Sequence, residues 1–266
     1  MFNKLRLLMF CVAFFLGSSC SQKKIKSING ASDTQNLIIL SDGDFLNWWK
    51  FHSQNIRLSS NFIPVDVNSS VIDKRTFLTK LKSGAYLPYR LYLNENRRVY
   101  KLFKVGKNAN LQIQATIKNE ANIALNNLNF EGKKFPNIVD KSINGRNSKL
   151  NNRVGKIVLF KTWFIGCTAC IKEFPKLNEI VENEKNNDKI LFISLALDNR
   201  ERLKKFLKKR PFKYEVIPEQ ERLISELNLN IFPTHIVVNE RNIIIKVCNN
   251  LEDLSLFLNE NNIINR

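Results

Sequence analysis

The second half of the chain reads as a regular alternation of short apolar runs and amphipathic stretches. Apolar runs lie at 157–163, 190–197, 212–217, 236–238 and 243–248, and helical spacing occupies 173–183, 200–209, 219–227 and 251–258. Ile190-Leu191-Phe192-Ile193 has no polar alternate, as a strand buried on both faces requires. Strands alternating with helices predict a sheet covered by helices on both sides. The first half is less regular. A strand is expected at 37–40, and a helix at 73–81 with Phe77, Leu78 and Leu81 on one face, stopped by Gly84. Residues 89–93 and 98–105 flank Asn94-Glu95-Asn96-Arg97 as a hairpin. Leu111, Ile113, Ala115 and Ile117 alternate with polar residues and predict a half-exposed strand. The expected organisation is a smaller mixed α/β or mainly β domain at 36–130 followed by an α/β domain at 131–266, with no internal repeat.

The pattern at the start of the chain is of another kind. Lys4 and Arg6 precede an unbroken apolar run at 7–16, then Gly17-Ser18-Ser19-Cys20. A basic start, a short apolar core and small residues make a secretory signal at 1–19, and the run is shorter than the ~20 residues a membrane-spanning helix needs. Cys20 directly after the small residues resembles the lipid-modified cysteine of bacterial lipoproteins, although Gly17 stands where a Leu is usual. Residues 20–35, rich in Lys, Ser and Asn, then read as anchor and tether. The expected location is the bacterial cell envelope, on a membrane anchor facing the periplasm, where disulfides persist.

Composition adds limits. Nineteen Phe and 44% hydrophobic residues in 266 are enough for packed cores rather than disorder. The formal charge of +18 comes from basic residues spread along the chain, beside heavy use of Asn and Ile. It therefore reads as a solvated basic surface rather than a nucleic-acid site, and Lys204, Lys205, Lys208, Lys209 and Arg210 as the wet face of a helix. With Cys11 and Cys20 assigned to leader and anchor, Cys167, Cys170 and Cys248 remain, too few for a disulfide scaffold.

The most informative residues are Cys167-Thr168-Ala169-Cys170. They stand between the apolar run ending at Trp163-Phe164 and a helical stretch. A helix N-terminus stabilises a thiolate on the first sulfur, and two cysteines at this spacing form a reversible disulfide, so the chemistry indicated is thiol–disulfide exchange. Rival readings are a zinc knuckle completed by Cys248 and His235, or a purely structural disulfide, which would constrain little chain. A Cys-x-x-Cys within a βαβ pattern favours the redox pair, with no metal and no cofactor.

Together with Gly155-Lys156, Trp163-Phe164, Glu173, Pro175, Leu177, Asn178 and Phe232-Pro233-Thr234, this pair resembles the TlpA/ResA-like class of exported thiol–disulfide oxidoreductases. The resemblance runs from about Phe135 onward. It implies a thioredoxin fold, a central mixed sheet flanked by helices, with Cys167 as exposed nucleophile and Cys170 as buried resolving thiol. It also implies that Pro233 is a cis-proline facing the dithiol, with Phe232 offering its backbone to a substrate strand. Trp163 and Thr234 then belong to the substrate side, and Glu173 is a carboxylate able to take a proton from Cys170 or raise the cysteine pKa values. The partners implied are disulfide-containing envelope proteins and a membrane thiol protein that donates or accepts electrons, with reduction of clients the favoured direction.

Lys161 stands where thioredoxins carry a buried acid. Of its two readings, pairing with Glu173 or extending to solvent at the strand edge, the second is expected. His235 is expected to be a satisfied core or edge residue, Cys248 a buried inert thiol, and His52 a packing residue beside Trp48, Trp49 and Phe51. A peroxidase of the peroxiredoxin class needs Thr or Ser where Phe164 stands, which argues against it. A further alternative is an anchored binding or scaffold protein whose 36–130 region carries the main role, and another is a dithiol oxidant.

Overall fold

The computed structural model describes residues 43–91, 97–136, 141–148 and 153–264. The signal, the anchor at Cys20, the tether, the expected strand at 37–40 and most of the hairpin turn lie outside them. No helix of the described residues is long and apolar enough to cross a membrane.

The N-terminal part begins with helix α1 (Phe45–Asn55), capped by the Asp44 carboxylate. Strand β1 (Ile63–Val65) leads to α2 (Lys74–Lys82), and β2 (Tyr86–Leu91) and β3 (Val99–Lys104) follow. The Asp73 carboxylate caps α2, and Gly84, the predicted stop, sits beyond its end at φ +77, where a side chain would be strained. The three strands form a sheet in the order β1-β3-β2, with β2 and β3 antiparallel and β1 and β3 parallel.

The expected strand around 111–117 is instead the start of a twenty-residue helix, α3 (Leu111–Phe130). Leu111 and Ala115 are exposed, whereas Ile113, Ile117, Ala121 and Ala124 form the buried stripe. The alternation over four apolar residues is therefore accidental, and the helical period governs. Asn110 supplies the cap, its side-chain oxygen accepting from the backbone N–H groups of Gln112 and Ile113. That stripe packs with Trp48, Phe77, Leu78, Leu81, Tyr100 and Leu102 into one core.

The C-terminal part is built on five strands, β4 (Ile157–Trp163), β5 (Ile190–Ala196), β6 (Glu215–Ile217), β7 (Thr234–Val238) and β8 (Ile244–Cys248). Their order is β6-β5-β4-β7-β8, parallel from β6 through β4 and antiparallel from β4 through β8. The sheet carries α4 (Thr168–Lys172), α5 (Phe174–Asn183), α6 (Arg200–Leu207), α7 (Glu221–Glu226) and α8 (Leu251–Glu260). This is the predicted mixed sheet flanked by helices.

Adjacent residues of β4 serve two cores. Val158 and Phe160 pack with Phe135, Ile193, Ile236 and the α7 residues Leu223 and Ile224; Leu159 packs with Leu177 of α5 and Leu254 of α8. Phe135 stacks on Phe160 with ring centres 4.2 Å apart.

Two boundaries differ from expectation. The helix predicted at 173–183 is present as α5, but a separate short helix, α4, precedes it; the two meet at Glu173, because Pro175 has no N–H to offer the Ile171 carbonyl four residues back. The strand predicted at 212–217 begins only at Glu215; before it, Phe212 and Tyr214 stack on each other at 4.7 Å as part of the core.

Both lateral edges of the five-stranded sheet are occupied. On β8, the Gly132 N–H donates to the Ile244 carbonyl and the Ile244 N–H to the Lys133 carbonyl; on β6, the Ile143 N–H donates to the Val216 carbonyl.

Candidate active site

Strand β4 ends at Trp163, and the Leu197 N–H bonds its carbonyl, holding the end of β5 alongside. The chain turns through Phe164, Ile165 and Gly166, fixed where the Asp198 carboxylate accepts from the Ile165 N–H at 2.7 Å. Cys167 then occupies the cap position of α4, its sulfur accepting from the Cys170 N–H at 3.2 Å. Cys167 and Cys170 form a disulfide, with 5.3 Å between their Cα atoms. Cys167 keeps 7% of its surface exposed and Cys170 none. Both cysteines are therefore buried in the disulfide form, against the expectation of an exposed Cys167; Cys167 is the less buried of the two and sits at the cap, where the backbone dipoles favour negative charge.

The peptide bond between Phe232 and Pro233 is cis. Phe232 is half-buried, its ring edge-on to Phe164 at 5.4 Å, and it packs against the same apolar cluster as Cys167 and Cys170. Among the described residues the Phe232 N–H and C=O make no hydrogen bond. Thr234 is buried: its N–H donates to the Thr162 hydroxyl at 3.1 Å, and its own hydroxyl donates to the Ile231 carbonyl at 2.6 Å. Trp163 is fully buried beneath the disulfide, edge-on to Phe174 at 5.0 Å, so it supports the site from within and presents no surface to a substrate.

Lys161 does not extend to solvent. It is fully buried and its ammonium donates to the Glu173 carboxylate, correcting the reading of an exposed strand-edge lysine. His235, level with Lys161 on β7, donates from Nε2 to the same carboxylate oxygen at 3.0 Å, and the Leu251 N–H donates to the other oxygen at 2.8 Å. Glu173 therefore gathers three donors from β4, β7 and the start of α8. Burial opposes its ionisation, but the hydrogen bond from His235 and the charge of Lys161 outweigh it and hold the carboxyl below its ordinary range. Burial pushes the His235 imidazole down despite its bond to Glu173, so His235 is neutral and the compensating charge belongs to Lys161. Burial also pushes the Lys161 ammonium down, and Glu173 pulls it part of the way back.

The register places Ser194, Lys161, His235 and Cys248 side by side across β5, β4, β7 and β8. Residues paired in this way share a face of the sheet, so the row lies together. Ser194 Oγ, Tyr214 OH, Trp163 Nε1 and His235 Nδ1 are buried with no hydrogen-bond partner among the described residues. Cys248 is fully buried, and burial pushes its thiol up, as expected of an inert cysteine. Cys167 and Cys170 are bonded to each other, which is the redox-pair arrangement rather than the zinc knuckle with Cys248 and His235. His52 does more than pack, since its Nε2 lies 2.7 Å from the Glu120 carboxylate.

The sequence locates the two cysteines and the family resemblance the cis-proline; the Lys161 bond to Glu173 is the less expected of its two readings, and the His235 bond is not foreseen. A lysine inside an apolar run was the available signal, because a buried cation needs a partner.

Residues 131–247 match the model of the family described as AhpC/TSA. Over 86 residues, 32% of this chain, the sequence is 33% identical to the thiol-disulfide oxidoreductase ResA of Bacillus cereus. That match takes in 49% of the relative, so the chain spans about half the length of the curated protein it resembles. Among solved structures, the thioredoxin domain of a thiol-disulfide oxidoreductase from Bacteroides vulgatus is 23% identical over 51% of this chain and 98% of its own, with a TM-score of 0.45. StoA from Bacillus subtilis is 20% identical over 45% of this chain and 92% of its own, with a TM-score of 0.40. Residues 131–247 are thus similar to the AhpC/TSA family, and part of the chain is similar to ResA.

Proposed function

We propose that this protein is a thiol–disulfide oxidoreductase that reduces disulfides of other proteins. The observation that carries the reading is the disulfide at the start of α4, with Cys167 the less buried of the two cysteines, in a cluster shared with Phe232, whose backbone N–H and C=O, just before the cis Pro233, are unpaired among the described residues. In the reduced protein, the Cys167 thiolate attacks a client disulfide and forms a mixed disulfide, releasing one client thiolate. Cys170 loses its proton and attacks the Cys167 sulfur, re-forming the Cys167–Cys170 bond and releasing the second client thiolate. The client gains two electrons and the protein loses two. A separate thiol protein restores the dithiol.

Phe232 is positioned to pair with an extended client segment, with Pro233 and Thr234 holding that turn. Glu173 serves this centre as a fixed negative charge three residues after Cys170, which disfavours a second charge on the sulfurs. Because its oxygens accept from Lys161, His235 and Leu251, an electrostatic role fits it better than shuttling a proton. The surrounding assignments belong to the same proposal: a leader at 1–19, a lipid anchor at Cys20, a periplasm-facing position, and a division into parts at 36–130 and 131–266.

Measuring the reduction potential by equilibration in redox buffers, alkylation and mass determination tests the reading, with Cys248→Ala as background. A reversible two-electron transition near about −270 mV or lower is expected of a reductant, and one near about −120 mV would reverse the direction. Absence of any transition overturns the proposal.

A further inference from the structure

Hydrogen bonds continue without a gap from the N-terminal part to the cis-proline turn beside the disulfide. Asn127 lies in the last turn of α3 and is only 9% exposed. A buried amide is retained where it is bonded. The Asn127 Nδ2 donates to the Asn249 Oδ1 at 2.7 Å, across 122 residues of sequence. The Asn249 Nδ2 in turn donates to the Thr234 hydroxyl at 2.8 Å and reaches the Pro233 carbonyl at 3.4 Å. The Thr234 hydroxyl donates onward to the Ile231 carbonyl at 2.6 Å. These bonds run from the N-terminal helix to both sides of the cis-proline turn.

The segment that relays them is itself fastened to the N-terminal part. Arg57 bonds Glu252 at 2.5 Å and Asp253 at 3.4 Å, and the Ser59 hydroxyl donates to Asp253. Between these anchor points stands Leu251, whose N–H holds Glu173. One stretch, 249–253, therefore bonds the cis-proline turn through Asn249 and the Glu173 carboxylate through Leu251, and it is held by Asn127 of α3 and by Arg57 and Ser59 in the loop after α1.

We infer that the N-terminal part is a built-in support of the client-binding turn, with Asn127 and Asn249 as positioning residues for Ile231, Phe232 and Pro233. The inference rests on the exchange reaction proposed above and assigns the 36–130 region a role in it. A client segment that pairs with Phe232 needs the turn held in place, whereas a small disulfide reagent needs only the Cys167 thiolate. Loss of the relay raises the barrier for the first and leaves the second unchanged.

The test compares two disulfides attacked by the reduced protein. One is a ten-residue extended peptide whose single cysteine carries a 2-nitro-5-thiobenzoate cap; the other is 5,5′-dithiobis(2-nitrobenzoate), which has no peptide. Both release the coloured thiolate when Cys167 attacks. Asn127→Asp keeps the shape and removes the donor, and Asn249→Ala removes the second link; Asn127→Ala stands in if the buried carboxylate prevents folding. The expected result is a fall of about tenfold in the peptide rate with the reagent rate within about twofold, the size of one lost hydrogen bond. Combining Asn127→Ala with Asn249→Ala should add nothing to Asn249→Ala alone, since both cut the same path. An unchanged peptide rate overturns the inference, and so does a parallel fall in both rates. If the unaltered protein reacts with neither disulfide faster than a free cysteine, the exchange reading itself fails.

Discussion

Replacing Lys161 by Met removes one half of a buried ion pair and leaves the other half in place. Lys161 is fully buried and the Glu173 side chain is 13% exposed, so Glu173 is left in the protein without its cation. Removing one partner of such a pair costs about 3–5 kcal/mol. The surviving bonds from His235 Nε2 and the Leu251 N–H place this case near the lower figure. At about 2–4 °C per kcal/mol for a protein of this size, the melting temperature falls by roughly 6–12 °C.

The pH dependence follows from the sign of the Glu173 shift. In the parent protein the carboxyl sits below its ordinary range, so its stabilising contribution is complete above the unfolded carboxyl pKa and is lost as pH falls through the lowered folded value. In the variant, burial dominates, and the Glu173–His235 pair takes up a proton on folding. The variant therefore gains stability as pH falls, and the gap between the two proteins narrows from about pH 8 to about pH 5. Urea unfolding of both proteins in the disulfide form across that range measures the gap directly. Adding Glu173→Gln to Lys161→Met should recover most of the loss, because replacing both charges of a buried pair is often nearly neutral. A gap under about 1 kcal/mol at neutral pH, or one that does not change with pH, would refute the account of a charge held by Lys161.

Cys170→Ser should accumulate mixed disulfides with envelope proteins, visible on non-reducing gels and abolished by adding Cys167→Ser; adducts that survive without Cys167 would count against its role as nucleophile. In the folded, reduced protein, iodoacetamide should alkylate Cys167 at least about a hundredfold faster than Cys248, whose thiol is buried and pushed up, with the ratio collapsing in denaturant. Burial, helped by the nearby Lys246 charge, lowers the Lys74 ammonium to about 8, so the unfolded chain binds more protons than the folded one between that value and the ordinary 10.5. Stability should therefore rise with pH across that window in the parent and rise less in Lys74→Met; equal slopes would show that Lys74 is not desolvated. Phe135→Ala empties one side of the stack on Phe160 and should cost about 3–5 kcal/mol by chemical denaturation.

The redox pair was legible because its chemistry is local: Cys167, Cys170 and the helix that follows lie within a few residues, and the strands around them are near-continuous apolar runs. What sequence could not show is where distant residues meet. Lys161 and His235 are 74 residues apart in number and neighbours across two strands, which is why the lysine read as a solvent-reaching side chain. Asn127 and Asn249 are further apart still, and two asparagines carry no pattern that announces a bond. The misread start of α3 has a different cause. Four alternating apolar residues satisfied a two-residue period by chance, and the Asn110 cap and the later Ala121 and Ala124, which settle the matter, fell outside that short window.

The covered edges of the five-stranded sheet limit how a second chain can approach. A strand with a free row of N–H and C=O groups will pair with any extended polypeptide that reaches it, folded or not. Here 132–133 occupies one flank and Ile143 engages the other, while Phe232 keeps its backbone open in the cluster that holds the disulfide. An unfolded cysteine-bearing chain thus meets its pairing groups next to Cys167, and strand addition at the flanks, the usual start of aggregation, is obstructed. Under the exchange reaction proposed above, that arrangement separates brief capture of a client from permanent adhesion.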